Sequence, residues 1–117
     1  MENTIAITAL GALAQTTRLE TFRALVRHEP EGVPAGELAR MLDVPQNTMS
    51  SHLAALSRAG LVKSERQSRS IIYRADLDGL RELTLFLLKD CCGGSSELCA
   101  PLIAELTPCC APEVKAS

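Results

Sequence analysis

Apolar residues crowd the start of the chain. The run Ile5-Ala-Ile-Thr-Ala-Leu-Gly-Ala-Leu-Ala14 predicts a helix over 5–14 that is apolar on nearly every face. Such a helix should be buried, in part against a second subunit. Thr16 or Thr17 then caps the next helix, with Glu20 completing a capping box from Thr17. Leu19, Phe22, Leu25 and Val26 follow at helical spacing. His28-Glu29-Pro30-Glu31-Gly32-Val33-Pro34 breaks that pattern.

Ala35 to Leu42 predicts a short helix with Leu38, Met41 and Leu42 inward, and Asp43-Val44-Pro45 a turn. Pro45 and Gln46 open a further helix to about Arg58, with Met49, Leu53 and Leu56 toward the core, and Ala59-Gly60 closes it. Residues 61–65 and 70–74 predict two strands joined by Arg66-Gln67-Ser68-Arg69. A last helix starts near Asp76, its expected cap. It carries Leu77, Leu80, Leu83, Leu85, Phe86, Leu87 and Leu88, and ends at Cys91-Cys92-Gly93-Gly94. That face is too apolar for a helix exposed in a small monomer, so it predicts a dimer interface. The fold class expected is mainly α with a small β-hairpin, a dimeric winged helix-turn-helix. Residues 1–92 are expected to form one domain, the winged helix-turn-helix with its dimerisation helices, and 93–117 a cysteine-containing tail.

Composition changes the picture in two places. Aromatic residues are 3% of the 117, so the core must be built from aliphatic side chains. The net charge of −2 argues at first against nucleic acid, but its distribution does not. Residues 58–74 hold Arg58, Lys63, Arg66, Arg69 and Arg74 against Glu65 alone, a local +4. DNA responds to that local field rather than to the sum. No secretory leader pattern and no spanning apolar run is visible, so the expected location is cytoplasmic, with no membrane partner. In that compartment cysteines stay reduced, which favours metal binding or redox chemistry over a disulfide framework.

Two short helices joined by a tight turn and followed by a basic hairpin match the dimensions of B-DNA. The major groove admits one helix, whose polar N-terminal residues reach base edges. Here those residues are Gln46, Asn47, Thr48, Ser50 and Ser51, with His52 as a packing or phosphate contact. Arg66 and Arg69 at the hairpin tip would enter a minor groove or touch phosphate. The stretches Ala14-Gln15-Thr16-Thr17-Arg18-Leu19, Ser50-Ser51-His52-Leu53 with Leu56, and Ala59-Gly60-Leu61-Val62 resemble the ArsR/SmtB family of metal-sensing repressors. The resemblance covers about residues 8–92. It implies a homodimer joined through its first and last helices, bound to operator DNA of twofold symmetry.

Two metal sites known in that family are missing. Glu37-Leu38-Ala39-Arg40-Met41 lacks the cysteines of one pattern, and His28 and His52, the two histidines, do not lie on the last helix as the other requires. All five cysteines instead fall late: Cys91, Cys92, Cys99, Cys109 and Cys110. Neighbouring cysteines on a helix point about 100° apart, so Cys91 and Cys92 share an ion only if the helix frays, which Gly93-Gly94 permits. Three thiolates without histidine make a soft pocket suited to trivalent arsenic or antimony rather than zinc.

Cys91, Cys92 and Cys99 resemble the ligand set of arsenite-responsive family members. The second pair, Cys109-Cys110, departs from that pattern and leaves open a site shared between subunits, Cys99 of one with Cys109 or Cys110 of the other. A two-thiolate site would favour methylarsenite or antimonite. No intrinsic cofactor is expected, only the metalloid as effector, and its binding would release DNA. A thiol redox or persulfide sensor on the same fold is the competing reading. An enzyme is not expected: Cys91 and Cys92 sit at a helix C-terminus beside Asp90, which disfavours thiolate, and no P-loop or dinucleotide motif occurs.

Overall fold

A computed structural model describes residues 2–89; Cys91, Cys92, Cys99, Cys109 and Cys110, and with them the ligand set and the tail of 93–117, lie outside the described residues. The elements run α1 (Asn3–Leu13), α2 (Thr16–Arg27), β1 (Val33–Pro34), α3 (Ala35–Leu42), α4 (Gln46–Arg58), β2 (Val62–Gln67), β3 (Ser70–Ala75) and α5 (Leu77–Lys89). The three strands form an antiparallel sheet in the order β1-β3-β2. The compact unit that holds the core, the sheet and α4 ends at Leu83, within α5. Among the described residues no helix is long and apolar enough to cross a membrane.

The core is aliphatic, as the scarcity of aromatics requires. Leu25, Leu38, Met49, Leu53, Leu56 and Leu61 are fully buried, with Phe22 beside them. Thr21 joins them because its hydroxyl is spent: it donates to the Thr17 carbonyl at 2.7 Å and approaches Met49 Sδ at 3.7 Å. α1 is not buried all round. Its inner stripe is the small set Ala6, Ala9 and Ala12, while Ile5, Ile7 and Leu10 stay 50%, 68% and 42% exposed. Leu19 and Val26 on α2 are likewise exposed, so only part of that helix's apolar set faces inward.

Several local expectations are corrected. Gln15, not a threonine, caps α2: it takes the extended conformation and its side-chain oxygen accepts the Arg18 amide at 2.8 Å. Thr16 and Thr17 already lie inside the helix, and the longer amide side chain reaches the third helical N–H as a shorter cap would. Met41 points outward, 41% exposed, because it stands two residues beyond buried Ala39, more than half a turn round α3.

Val33 and Pro34 pair with Tyr73 and Ile72, so the sheet has a third strand that the proline-rich pattern concealed. Gly32 makes this possible. Its φ is 78°, and a Cβ there would stand 2.6 Å from Ile72 Cγ2 and 2.7 Å from the Tyr73 carbonyl. The hairpin is also longer than expected. Gln67 pairs with Ser70, leaving a two-residue turn, Ser68-Arg69, and placing Arg66 within β2 rather than in the loop.

The remaining punctuation holds. Asp43, left-handed at φ 57°, ends α3. Gly60 ends α4, with the Leu61 amide on the Leu56 carbonyl and the Gly60 amide on the Ser57 carbonyl. Asp76 caps α5 through the Gly79 amide at 3.1 Å. A Cβ at Gly79 would collide with the Gly60 carbonyl oxygen, so the start of α5 rests on the end of α4 backbone to backbone.

Candidate nucleic-acid interface

α4 presents two unlike faces because 3.6 residues make a turn. Met49, Leu53 and Leu56 anchor it in the core. Opposite them stand Asn47 and Ser51, with Arg58 two turns along the same line. Gln46 and Ser50 flank that face on one side, Thr48 and His52 on the other. Gln46, Asn47, Thr48, Ser50 and Ser51 are all exposed, so the polar set named from the sequence is accessible as a group at the N-terminal half of the helix. The Gln46 amide also lies over α3, its Oε1 3.7 Å from where a Cβ of Gly36 would stand. α3 packs behind α4 and fixes its pitch through the Asp43–Pro45 turn, whose Val44 amide is held by the Ala39 carbonyl at 3.0 Å.

His52 is not one more exposed polar residue. It is half-buried, and its Nδ1 accepts a hydrogen bond from Arg18 Nε at 3.3 Å. Burial, and then the Arg18 charge, hold its pKa below the ordinary 6.5. Arginine can only donate, so this contact requires a neutral ring with its proton on Nε2, the form that prevails at neutral pH.

The hairpin's charges divide by face. Register pairs Lys63 with Arg74 and Glu65 with Ile72, which sets Glu65 and Arg74 diagonally across one side. There Arg74 binds Glu65 at 3.1 Å and Glu29 at 2.8 and 3.3 Å. The hydrogen bonds from Arg74 draw the Glu29 pKa below 4.5, and Glu29 in turn raises that of Arg74. Arg74 thus belongs to the scaffold: it ties the loop after α2 to the hairpin and adds nothing to the field offered to a polyanion. Arg66, on the opposite side of β2, and Arg69, in the turn, are exposed and form no ion pair among the described residues. Of the five bases counted from the sequence, Arg74 alone is withdrawn in this way. No pattern along the chain pairs position 29 with 74, or 18 with 52; both contacts are made by folding.

Among the described residues no three His, Cys, Asp or Glu side chains stand together as metal ligands. Two helices joined at a tight turn, a third helix and strand behind them, and a two-stranded wing with unpaired arginines define a winged helix-turn-helix protein. A helix-turn-helix domain family model matches residues 13–65. The fold is similar to that of an ArsR-like transcriptional regulator from Rhodococcus sp. RHA1, with a TM-score of 0.70 at 30% identity over 83% of this chain and 89% of that one. It also resembles a homodimeric winged helix-turn-helix domain from Mycobacterium bovis, with a TM-score of 0.61 at 23% identity over 77% and 82% of the two chains. Transcriptional activator HlyU of Vibrio cholerae is 34% identical over 68 residues, 58% of this chain and 60% of HlyU's length. The chain belongs to the ArsR-like family of helix-turn-helix transcriptional regulators.

Proposed function

We propose that this regulator is a repressor that binds operator DNA as a homodimer and releases it when trivalent arsenic or antimony is taken up by its C-terminal thiolates. The observation that carries the DNA reading is the exposed polar row of α4 beside the unpaired Arg66 and Arg69 of the wing. Glutamine and asparagine pair bidentately with adenine, and arginine supplies the phosphate or minor-groove contact.

Homodimerisation is supported by the uncovered Ile5, Ile7 and Leu10 of α1 and Leu77 at the start of α5. Four large aliphatic side chains at 42–68% exposure are an apolar surface that a second copy would cover. A Mycobacterium bovis protein of this fold is described as homodimeric. Twofold pairing would set two α4 helices about 34 Å apart, the spacing of successive major grooves.

The effector is proposed from the sequence. Cys91, Cys92 and Cys99 are the expected single-chain trio, with Cys99 and Cys109 or Cys110 as the intersubunit alternative. Coupling of about 1–3 kcal/mol would weaken operator binding roughly 5- to 150-fold. The test is a mobility shift of the DNA upstream of the gene with arsenite, antimonite or methylarsenite, on the wild type and on five single Cys→Ser variants. Loss of response confined to Cys91, Cys92 and Cys99 supports the trio, and loss at Cys99 and Cys109 the shared site. Unchanged DNA binding at saturating metalloid would refute the effector reading, as would release by oxidant alone, reversed by dithiothreitol.

A further inference from the structure

Two arginines are half-buried among the described residues, Arg18 and Arg74. Arg74 has two carboxylates. Arg18 has none: it appears in no ion pair among the described residues, and its one side-chain hydrogen bond runs from Nε to the neutral ring of His52. A guanidinium carries five N–H donors, so the four on Nη1 and Nη2 find no protein acceptor among the described residues. Partial burial of a charge without a counter-ion is unfavourable, and an anion brought from outside would relieve it.

The place of this cation tells which anion. Its partner His52 lies one turn beyond Thr48, on the same flank of α4, beside the row that faces away from the core. An α-helix with side chains is about 10–12 Å across and the major groove about 12 Å wide, so a helix seated there has a phosphate backbone along each flank. A cation pinned to one flank stands against one of those backbones.

We infer that Arg18 is a DNA-backbone contact, its free Nη edge taking a phosphate beside the recognition helix while His52 holds the guanidinium in place. The inference rests on the reading of α4 as the groove-reading helix. His52 acts through Arg18 and is a positioning residue. Its ring must stay neutral, because Nδ1 accepts. The contact carries no sequence information, since every step of the duplex presents the same phosphate.

The test is fluorescence anisotropy over a salt series with two labelled probes, a duplex of random sequence and the DNA upstream of the gene. Circular dichroism melting of each variant checks that it folds. Arg18→Met is expected to weaken both probes by the same factor and to flatten the slope of log K against log salt by about 0.9 for each protomer engaged. His52→Ala is expected to lose part of the same affinity, and His52→Asn, whose Oδ1 stands near the place of Nδ1, to restore it.

Arg18→Lys keeps the charge without the Nε donor. On that background His52→Ala is expected to cost nothing further, which serves as the readout should Arg18→Met fail to fold. An unchanged slope in folded Arg18→Met overturns the inference and leaves the DNA reading standing. A loss confined to the upstream probe overturns it too, since that marks base recognition. If the wild type binds neither probe, the reading of α4 falls and the inference with it.

Discussion

Arg74 donates to both oxygens of Glu29, at 2.8 and 3.3 Å, across 45 residues of sequence. The bond fastens the wing to the loop after α2 and at the same time neutralises one positive charge of the basic segment. Glu29→Gln is expected to do two opposite things. It should lower the urea midpoint, because a partly buried arginine loses its main partner. It should also raise affinity for a random-sequence duplex modestly and steepen its salt dependence, because Arg74 keeps only Glu65 as a carboxylate partner and the local field becomes more positive. Denaturation and anisotropy on one preparation check both.

The Glu29 pKa lies below its ordinary 4.5, so its contribution to stability is fully present above that value. It is lost as pH falls through the lowered folded value, since the unfolded chain then binds the proton more readily. Acid titration of wild type and Glu29→Gln should therefore converge in stability at low pH and differ above about pH 5.

His52 sets a second pH window. Its folded pKa is depressed below 6.5, so the Arg18 contact is intact above that value and lost as pH falls through the folded one. Protonation turns Nδ1 into a donor and sets two cations side by side. DNA affinity should fall on acidification in that window, against the ordinary trend in which a newly charged histidine strengthens binding to a polyanion. His52→Asn, which does not titrate, should show no such fall.

Base reading and backbone contact separate by mutation. Asn47→Ala and Gln46→Ala should each cost about 1–3 kcal/mol on the operator and almost nothing on random DNA, if each makes a bidentate base contact. Arg69→Met should weaken both probes alike and reduce the salt slope by about one unit for each protomer. A titration of the three variants against both probes distinguishes the patterns.

Ile7 is 68% exposed on α1 and supports no part of the core described here. Ile7→Asp should leave the thermal melt of the isolated fold little changed yet shift the chain to monomer in sedimentation velocity. Operator affinity should then fall, because two half-sites are no longer read together.

Gly79 admits no side chain. Gly79→Ala places a methyl against the Gly60 carbonyl, and backbone on both sides cannot swing away. A loss of about 1–3 kcal/mol is expected from overpacking, despite the gain in helix propensity from alanine. Urea denaturation measures it.

The order of helix, turn, helix and wing was legible along the chain because each element's signal is local. Met49, Leu53 and Leu56 repeat at helical spacing, Gly60 stops a helix, and Asp76 starts one. The exposed residues of α4 followed from the same period. The third strand was hidden, since Val33-Pro34 becomes a strand only when β3 lies beside it. Met41 was misjudged because hydrophobicity shows that a side chain prefers burial, not that its own chain has room to bury it. Above all, the tertiary structure decided which arginines are free. Arg74 and Arg18 are alike in sequence, but a carboxylate 45 residues away silences one and a neutral imidazole 34 residues away aims the other. Charge can be counted along a chain, whereas its neutralisation depends on distance in space, and only folding sets that distance.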